Sequence, residues 1–396
     1  MATSAVQSEA MRKGEWSRLS ALLIGNFVIG TGILLPAGML GYIAKDFDTT
    51  VPVAGWLLTV SGLVVGLGSP IFAMLAGGFD RRMLLIGSML LYAVGHVASV
   101  FAPNFAALLA IRGIMTVAAG VFTPQAAAAV GLLVPGEKRA SSIAFIFLGW
   151  SLASVAGIPI GSLIASAAGW RAAFLVLVPI ALIAAGLVAI TIPGRMPNTP
   201  VTAASWSRIL TSRAMLCLLA ATVASMCGQF AVLTYMQPLL RDSYQTSALA
   251  VAGLLAIYGA AGIIGNGVAS GVVARAGLDR TVHVLFALIL FGMLLIGFSF
   301  GSMWVFVLGL VSWGVGSFAS NSLQQARLVA IDPTLAGASV ALNTSAVYLG
   351  QAVGAATGGV LFAAGKTWAF GLSAAGILLL AVLLSLAAER ANKAAS

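Results

Sequence analysis

Gly77-Gly78-Phe79-Asp80-Arg81-Arg82 is a tight charged corner between two apolar runs, 53–76 and 83–101. Each run is close to the ~20 residues a helix needs to cross a hydrocarbon layer of ~30 Å. A charge at mid-bilayer costs several kcal/mol, so Asp80, Arg81 and Arg82 belong at a water interface. Adjacent arginines there point to the cytoplasmic side under the positive-inside rule. About 199 residues later the corner returns as Arg275-Ala276-Gly277-Leu278-Asp279-Arg280, again between apolar runs.

Composition agrees with a chain dissolved in lipid. Of 396 residues, 60% are hydrophobic and 8% charged, whereas soluble domains carry about 25% charged residues. The formal charge of +10 is spread between apolar runs, so it is not a nucleic-acid footprint. Cys217 and Cys227 lie in one apolar run, ~15 Å apart on a helix and too far for a bridge. They read as small packing residues, and neither has metal-ligating neighbours. No metal and no cofactor are expected.

Twelve apolar runs are separated by charges or turn residues, which predicts an all-α membrane protein of twelve transmembrane helices. The runs are 19–42, 53–76, 83–101, 105–134, 140–167 and 172–192, then 214–239, 247–273, 281–300, 302–330, 335–364 and 368–388. The first is too long for the core of a signal peptide and is expected to remain as a span. Residues 1–18 form an N-terminal tail, 19–192 a first six-helix bundle, and 193–213 a polar linker. Residues 214–388 form a second six-helix bundle and 389–396 a C-terminal tail. With the N-terminus inside, Arg12, Lys13, Arg18, Arg81, Arg82, Lys138, Arg139, Arg195, Arg208, Arg213, Arg275, Arg280, Arg327, Arg390 and Lys393 fall on the inner side. Lys45, Arg171, Arg241 and Lys366 fall outside. That bias predicts that both termini and the linker are cytoplasmic.

The repeat extends past the corners. Pro135-Gly136-Glu137-Lys138-Arg139-Ala140-Ser141 aligns with Pro333-Thr334-Leu335-Ala336-Gly337-Ala338-Ser339. Gly157-Ile158-Pro159-Ile160-Gly161 aligns with Ala355-Ala356-Thr357-Gly358-Gly359, and Gly169-Trp170-Arg171-Ala172-Ala173-Phe174 with Gly365-Lys366-Thr367-Trp368-Ala369-Phe370. Two parallel six-span pseudo-repeats meeting around a midplane site are the geometry of an alternating-access transporter.

Across essentially its whole length the chain resembles the major facilitator superfamily. Gly77 to Arg82 is similar to that family's loop between helices 2 and 3, in the compressed form Gly-Phe-Asp-Arg-Arg. Arg112, followed by Gly113 and Gly120, matches its embedded arginine in helix 4. Gly157, Pro159 and Gly161 resemble its antiporter-type helix 5 motif. Within the family the chain looks most like the drug:proton antiporter-1 branch, which includes arabinose-type sugar and purine-nucleoside efflux permeases. Gly228-Gln229-Phe230-Ala231 with Thr234-Tyr235 and Pro238 carries that likeness. So do Gln324-Gln325-Ala326-Arg327 and Ala341-Leu342-Asn343-Thr344-Ser345-Ala346. Many members carry an acid in helix 1, where this chain has Gly30-Thr31-Gly32-Ile33-Leu34-Leu35-Pro36. All ten acidic residues fall in tails, loops or span ends, so proton antiport is implied by the resemblance alone.

The resemblance implies that helices 1, 4, 7 and 10 line a central cavity. The substrate-binding candidates are then Asn26, Thr31, Arg112, Gln125, Gln229, Tyr235, Asn321 and Gln324. Trp150, Trp313, Tyr258, Asn343, Tyr348 and Gln351 are neighbours that stack or hydrogen-bond. Interhelical hydrogen bonding is the competing use of such side chains. Arg112 is either a fixed charge beside the substrate path or a tie to backbone carbonyls. His96 is the one histidine well inside a span; it reads as a packing residue or as a proton carrier. Gly77, Asp80, Arg81, Arg82, Asp279 and Arg280 are expected to act in a conformational switch. The resemblance implies that the Asp80 contact holds the inner side closed while the outer side is open. Pro36, Pro70, Pro124 and Pro159 lie within spans and are expected to bend helices.

The expectation is a secondary exporter of small drug-, sugar- or nucleoside-like molecules in a bacterial-type inner membrane. It acts as a monomer, with the bilayer and protons as further partners, and is not an enzyme. The alternative is a uniporter or importer of a neutral metabolite on the same fold. No Gly-x-x-x-x-Gly-Lys-Ser/Thr loop supplies ATP binding. A membrane-embedded hydrolase would need a nucleophile, base or metal set at depth, which the chain does not offer.

Overall fold

In the computed structural model, which describes residues 2–196, 203–299, 301–365 and 367–395, every assigned element is helical. Residues 197–202 of the expected linker, and Lys366, lie outside the described residues. Helices are the form these sequences must take in lipid, because each N–H and C=O then finds its partner within its own segment.

Among the described residues, twelve helices are long and apolar enough to cross a membrane. They are α1 (Gly14–Gly38), α2 (Val51–Gly78), α3 (Arg81–Val100), α4 (Phe105–Leu133), α5 (Ser142–Ala168) and α6 (Trp170–Thr191). The second set is α7 (Arg213–Leu233), α8 (Ala248–Ala276), α9 (Leu278–Gly297), α10 (Met303–Ile331), α11 (Gly337–Ala363) and α12 (Trp368–Ala394).

Local chemistry places the ends. Asp80 caps α3 by accepting from the Arg82 N–H at 2.8 Å, and Asn104 caps α4 by accepting from Ala107 at 2.8 Å. Ser247 caps α8 through Ala250 at 3.2 Å. Such caps satisfy N–H groups that the first helical turn leaves unpaired. Gly169 and Gly365, aligned in the repeat, turn the chain with φ of 86° and 65°, a backbone that L side chains rarely adopt. Two in-span prolines coincide with departures from α geometry. At Pro36, α1 passes into a 3-10 turn, Leu35–Gly38, and at Pro159, α5 has a π turn, Ala153–Gly157, just upstream. Proline offers no N–H to the preceding turn, so the ladder widens or breaks there. Pro70 and Pro124 sit inside unbroken α-helix.

Packing repeats with the sequence. In the first six spans α1 packs on α5 and α6, α2 on α4, and α3 on α4 and α6. In the second six, α7 packs on α11 and α12, α8 on α10, and α9 on α10 and α12. The two sets meet through α2 on α11 and α5 on α8, which the repeat exchanges. Glycine makes both meetings close. A Cβ built on Gly62 would lie 2.7 Å from the Tyr348 carbonyl oxygen, and one on Gly259 would lie 2.7 Å from the Val155 backbone. Small residues of this kind are how helices approach in a solvent as apolar as their own side chains. Ser69 and Ser345 add hydrogen bonds across α2 and α11, to the carbonyls of Ala341 and Gly66.

The linker helix Ala203–Thr211 docks on the second set. Its Ile209 is buried with Leu328 and Leu335, and Arg208 pairs with Asp332 at 2.6 Å. The linker marks one face of the bundle, and the opposite face is the far face.

Gly62 at the α2–α11 contact and Gly87 on the open face of α3 are expected to respond to alanine with opposite signs. Gly62→Ala forces the helices apart and is expected to destabilise by about 1–3 kcal/mol. Gly87→Ala meets open space and is expected to stabilise by roughly 0.5–1 kcal/mol through helix propensity. Thermal melts of the two variants in detergent read both signs.

Candidate functional site

The cavity between the two sets spans about 1240 Å³, counted out into the open solvent at its mouth. Its walls come from α4 (Thr123, Pro124), α5 (Phe147, Trp150, Ser154), α7 (Met226, Gln229, Phe230) and α8 (Tyr258, Asn266). α10 adds Ser317, Asn321 and Gln325, and α11 adds Val340, Asn343, Tyr348 and Gln351. No Asp, Glu, Lys, Arg or His is among its lining residues. Gln325 and Val340 lie toward the linker-face ends of their helices, so the cavity opens to that face. α5 meets α8 mainly through its far-face portion, from the π turn to Ala168.

The far face is shut. Gln237 Oε1 accepts from the Gly41 N–H at 3.3 Å, and Arg241 donates to the Tyr42 hydroxyl at 2.6 Å. Tyr235 is the wedge of this closure. It is 1% exposed and stacks on Phe362 at 5.6 Å. Its hydroxyl seats over Gly55 so closely that a Cβ there would lie 2.0 Å away, and one on Gly359 2.7 Å away. The wedge therefore ties α2 to α11 above the cavity.

Polar side chains on the second-set wall are largely spent on one another. Gln229 Oε1 accepts from Trp313 Nε1 at 2.9 Å and from Ser317 Oγ at 2.7 Å, while its Nε2 donates to Ser225 Oγ at 3.1 Å. Tyr258 pairs with Ser317 at 2.8 Å, and Thr222 donates to Asn343 Oδ1 at 3.3 Å. Such a network holds its members in fixed orientations inside a low-dielectric wall.

Of the eight substrate-binding candidates, Gln229 and Asn321 line the cavity. Asn26 donates to the Ile146 carbonyl at 3.0 Å and accepts from Thr123 at 2.9 Å, tying α1 to α5 and α4. Thr31 packs against Gly157, whose added Cβ would lie 2.3 Å from its hydroxyl. Gln125 is buried outside the lining. Gln324 accepts from Arg327 at 2.8 Å, and Tyr235 belongs to the far-face closure. Arg112 is fully buried in the first set. It donates to the Gly32 carbonyl at 2.6 Å and lies 5.1 Å from the Phe174 ring centroid. This is a backbone tie between α4 and α1. His96 is enclosed beside Tyr92 and Phe174, with ring centroids 4.7 and 5.5 Å away, and is absent from the cavity wall. Of the neighbours named from sequence, Trp150, Tyr258, Asn343, Tyr348 and Gln351 line the cavity, whereas Trp313 is fully buried behind Gln229.

Asn266, Ser317 and Gln325 line the cavity and were not among the sequence candidates. Asn266 is the lone amide of α8, a signal that a survey of all spans would have caught. Gly157 and Gly161 of the helix 5 motif bring α5 onto α1, with added Cβ atoms meeting Thr31 and Leu35 at 2.3 and 2.0 Å.

The repeated corners take different partners. Asp80 accepts from the backbone N–H of Arg195, and the Arg81 N–H reaches the Met196 carbonyl at 3.5 Å. Arg82 donates to the Ala189 carbonyl. This corner thus grips the start of the linker, with the cavity open on the same face. Asp279 instead pairs with Arg327 at 2.6 Å, a buried guanidinium that also donates to Ser385 Oγ at 2.7 Å. Arg280 is exposed. Arg195 adopts φ of 59°, unusual for a residue with a Cβ. Holding such a backbone costs of order 1 kcal/mol. Arg195→Gly is therefore expected to raise the melting temperature, and Asp80→Ala to lower it through a lost cap of about 0.5–2 kcal/mol. An R195G protein that melts lower than the parent would contradict a backbone strained at this position.

Comparison with known proteins agrees with this architecture. The family model described as Major Facilitator Superfamily matches residues 22–354. The inner membrane transport protein YdhP of Escherichia coli (strain K12) is 30% identical over 375 residues, 93% of this chain and 95% of that protein. The uncharacterized MFS-type transporter YbcL of Bacillus subtilis (strain 168) is 27% identical over 343 residues, 87% of this chain and 88% of that one. A crystal structure of a mutant of the peptide transporter POT in complex with sulfate superposes with a TM-score of 0.78, covering 95% of each chain at 14% identity. That likeness is one of fold.

Proposed function

The chain belongs to the Major Facilitator Superfamily, and we propose that this multi-pass inner-membrane transporter exports small uncharged organic molecules by alternating access. The observation that carries the reading is the charge-free cavity between the two sets of spans, open at the linker face and shut at the far face. Positive-inside bias makes the linker face cytoplasmic, so the conformation is the one that loads substrate from the cell. The bundles 19–192 and 214–388 then rock about the α2–α11 and α5–α8 contacts. Breaking the Tyr235 wedge opens the outer side. Closing the inner side transfers Asp80 from the linker toward the N-terminus of α11, whose unpaired N–H groups favour a carboxylate. No step of this cycle makes or breaks a covalent bond; the chain acts as a carrier rather than an enzyme.

Energising export requires a group that titrates along the path, and likeness to the drug:proton antiporter-1 branch supports proton antiport. His96 is the titratable candidate on that reading. The absence of ionisable residues from the cavity wall favours a second reading, a uniporter that equilibrates a neutral metabolite. Proteoliposome flux separates the two. Under antiport, substrate accumulates uphill only with an imposed pH gradient, and His96→Gln equilibrates without accumulating. Under uniport, counterflow runs equally with and without the gradient, and His96→Gln is silent.

A further inference from the structure

The wall of the cavity selects by what it leaves unpaired. Among the described residues, two that line it have a buried polar side-chain atom with no hydrogen-bond partner: Trp150, through Nε1, and Gln351, through Nε2. Both are N–H donors, and an indole nitrogen can only donate. Gln351 is 2% exposed and lines the cavity, so its amide is held in the wall rather than free in the open space. A buried donor with no acceptor is unfavourable until a ligand supplies one.

Three further observations narrow the ligand. The wall carries no ion, so neither an organic cation nor an anion finds a counter-charge, and desolvating either is costly. Arg112, fully buried in the first set, donates to the Gly32 carbonyl beside the Phe174 ring and stands outside the lining. Trp150 and Tyr348 face each other across the two sets at 6.4 Å and 65°. They meet edge-on rather than stacked, and both line the cavity, so the wall offers a flat ligand aromatic surface from both sets.

On the reading that this cavity is the transport site, we propose that it takes uncharged, flat ring systems bearing carbonyl or ring-nitrogen acceptors. Trp150 and Gln351 are the residues that select them. The donors come from opposite sets: Trp150 from α5 and Gln351 from α11, one helical turn beyond Tyr348. A ligand that accepts from both bridges the two sets and draws the open face together. Selection and closure are then one event. A ring without acceptors fills the space but leaves both donors unpaired.

Equilibrium binding to purified full-length protein tests this with four probes: 1,3-dimethyluracil and caffeine (flat, acceptor-only), phenyltrimethylammonium, and glucose. The two acceptor rings are expected to bind, and to bind more tightly than the cation or the sugar. Trp150→Phe keeps the ring and removes the N–H, and Gln351→Leu keeps the bulk and removes the amide. Each is expected to weaken the acceptor rings about 2- to 12-fold, the effect of one hydrogen bond. Unchanged affinity in both variants, or preference for the cation or glucose, overturns the proposal. Phenyltrimethylammonium affinity, read in the same variants, is expected to stay within about twofold; a parallel loss would mean a collapsed wall and would overturn the selective role. Counterflow of caffeine in proteoliposomes addresses the transport reading separately. Selective binding without counterflow would refute transport while leaving the ligand class standing.

Discussion

Hydrocarbon offers no hydrogen bonds, and most of this molecule follows from that constraint. Every span is helical because no other local form pairs its own backbone. Charges that must meet water collect at the corners, and side chains that stay polar at depth are driven to find partners there. Asn26, Thr222, Gln229 and Ser345 each do so by bonding across helices or within their own. Arg112 is the extreme case. A guanidinium enclosed in the first set survives because a carbonyl and an aromatic face take the place of solvent.

The same constraint separates the parts that move from those that hold. Side-chain networks stiffen the second-set wall, whereas the contacts between the two sets rest on glycine backbones and a few side chains. Gly62 on Tyr348, Gly259 on Val155 and the Tyr235 wedge over Gly55 are contacts of shape, with little polar bonding to break. Parting surfaces of that kind breaks little hydrogen bonding; across α2 and α11 the Ser69 and Ser345 hydroxyls are the donors that lose a partner. The π turn at Ala153–Gly157 sits where α5 leaves α8, so the break in its ladder lies at the edge of the opening.

Much of the fold was legible because repetition and hydropathy act over long segments. The corners at Asp80 and Asp279, and the aligned Gly169 and Gly365, signalled six spans used twice, and both glycines turn with positive φ. Side-chain direction was harder to read. Gln324 and Gln325 are neighbours, yet Gln324 turns to Arg327 and Gln325 lines the cavity. A rotation of about 100° per residue decides this, and helix packing sets the phase. Tyr235 looked like a binding residue because it is polar and lies near the end of α7, but whether it meets ligand or glycine depends on the partner set. For Arg112 the sequence allows a path charge or a backbone tie, and only the position of the Gly32 carbonyl shows which contact it makes. Proline was ambiguous for a similar reason: Pro159 coincides with a widened turn and Pro124 does not, though both interrupt the same ladder.

On the proposed orientation, the cavity between the two sets faces the cytoplasm while Tyr235 wedges the far side shut. Labelling with a membrane-impermeant thiol reagent tests it most directly, using Asn321→Cys in a background with Cys217 and Cys227 replaced. Rapid labelling is expected in inverted vesicles and protection in right-side-out vesicles, with protection lost when Gly55→Leu displaces the wedge. Labelling of Asn321→Cys from the outer side alone, in the protein with Gly55 intact, would contradict it.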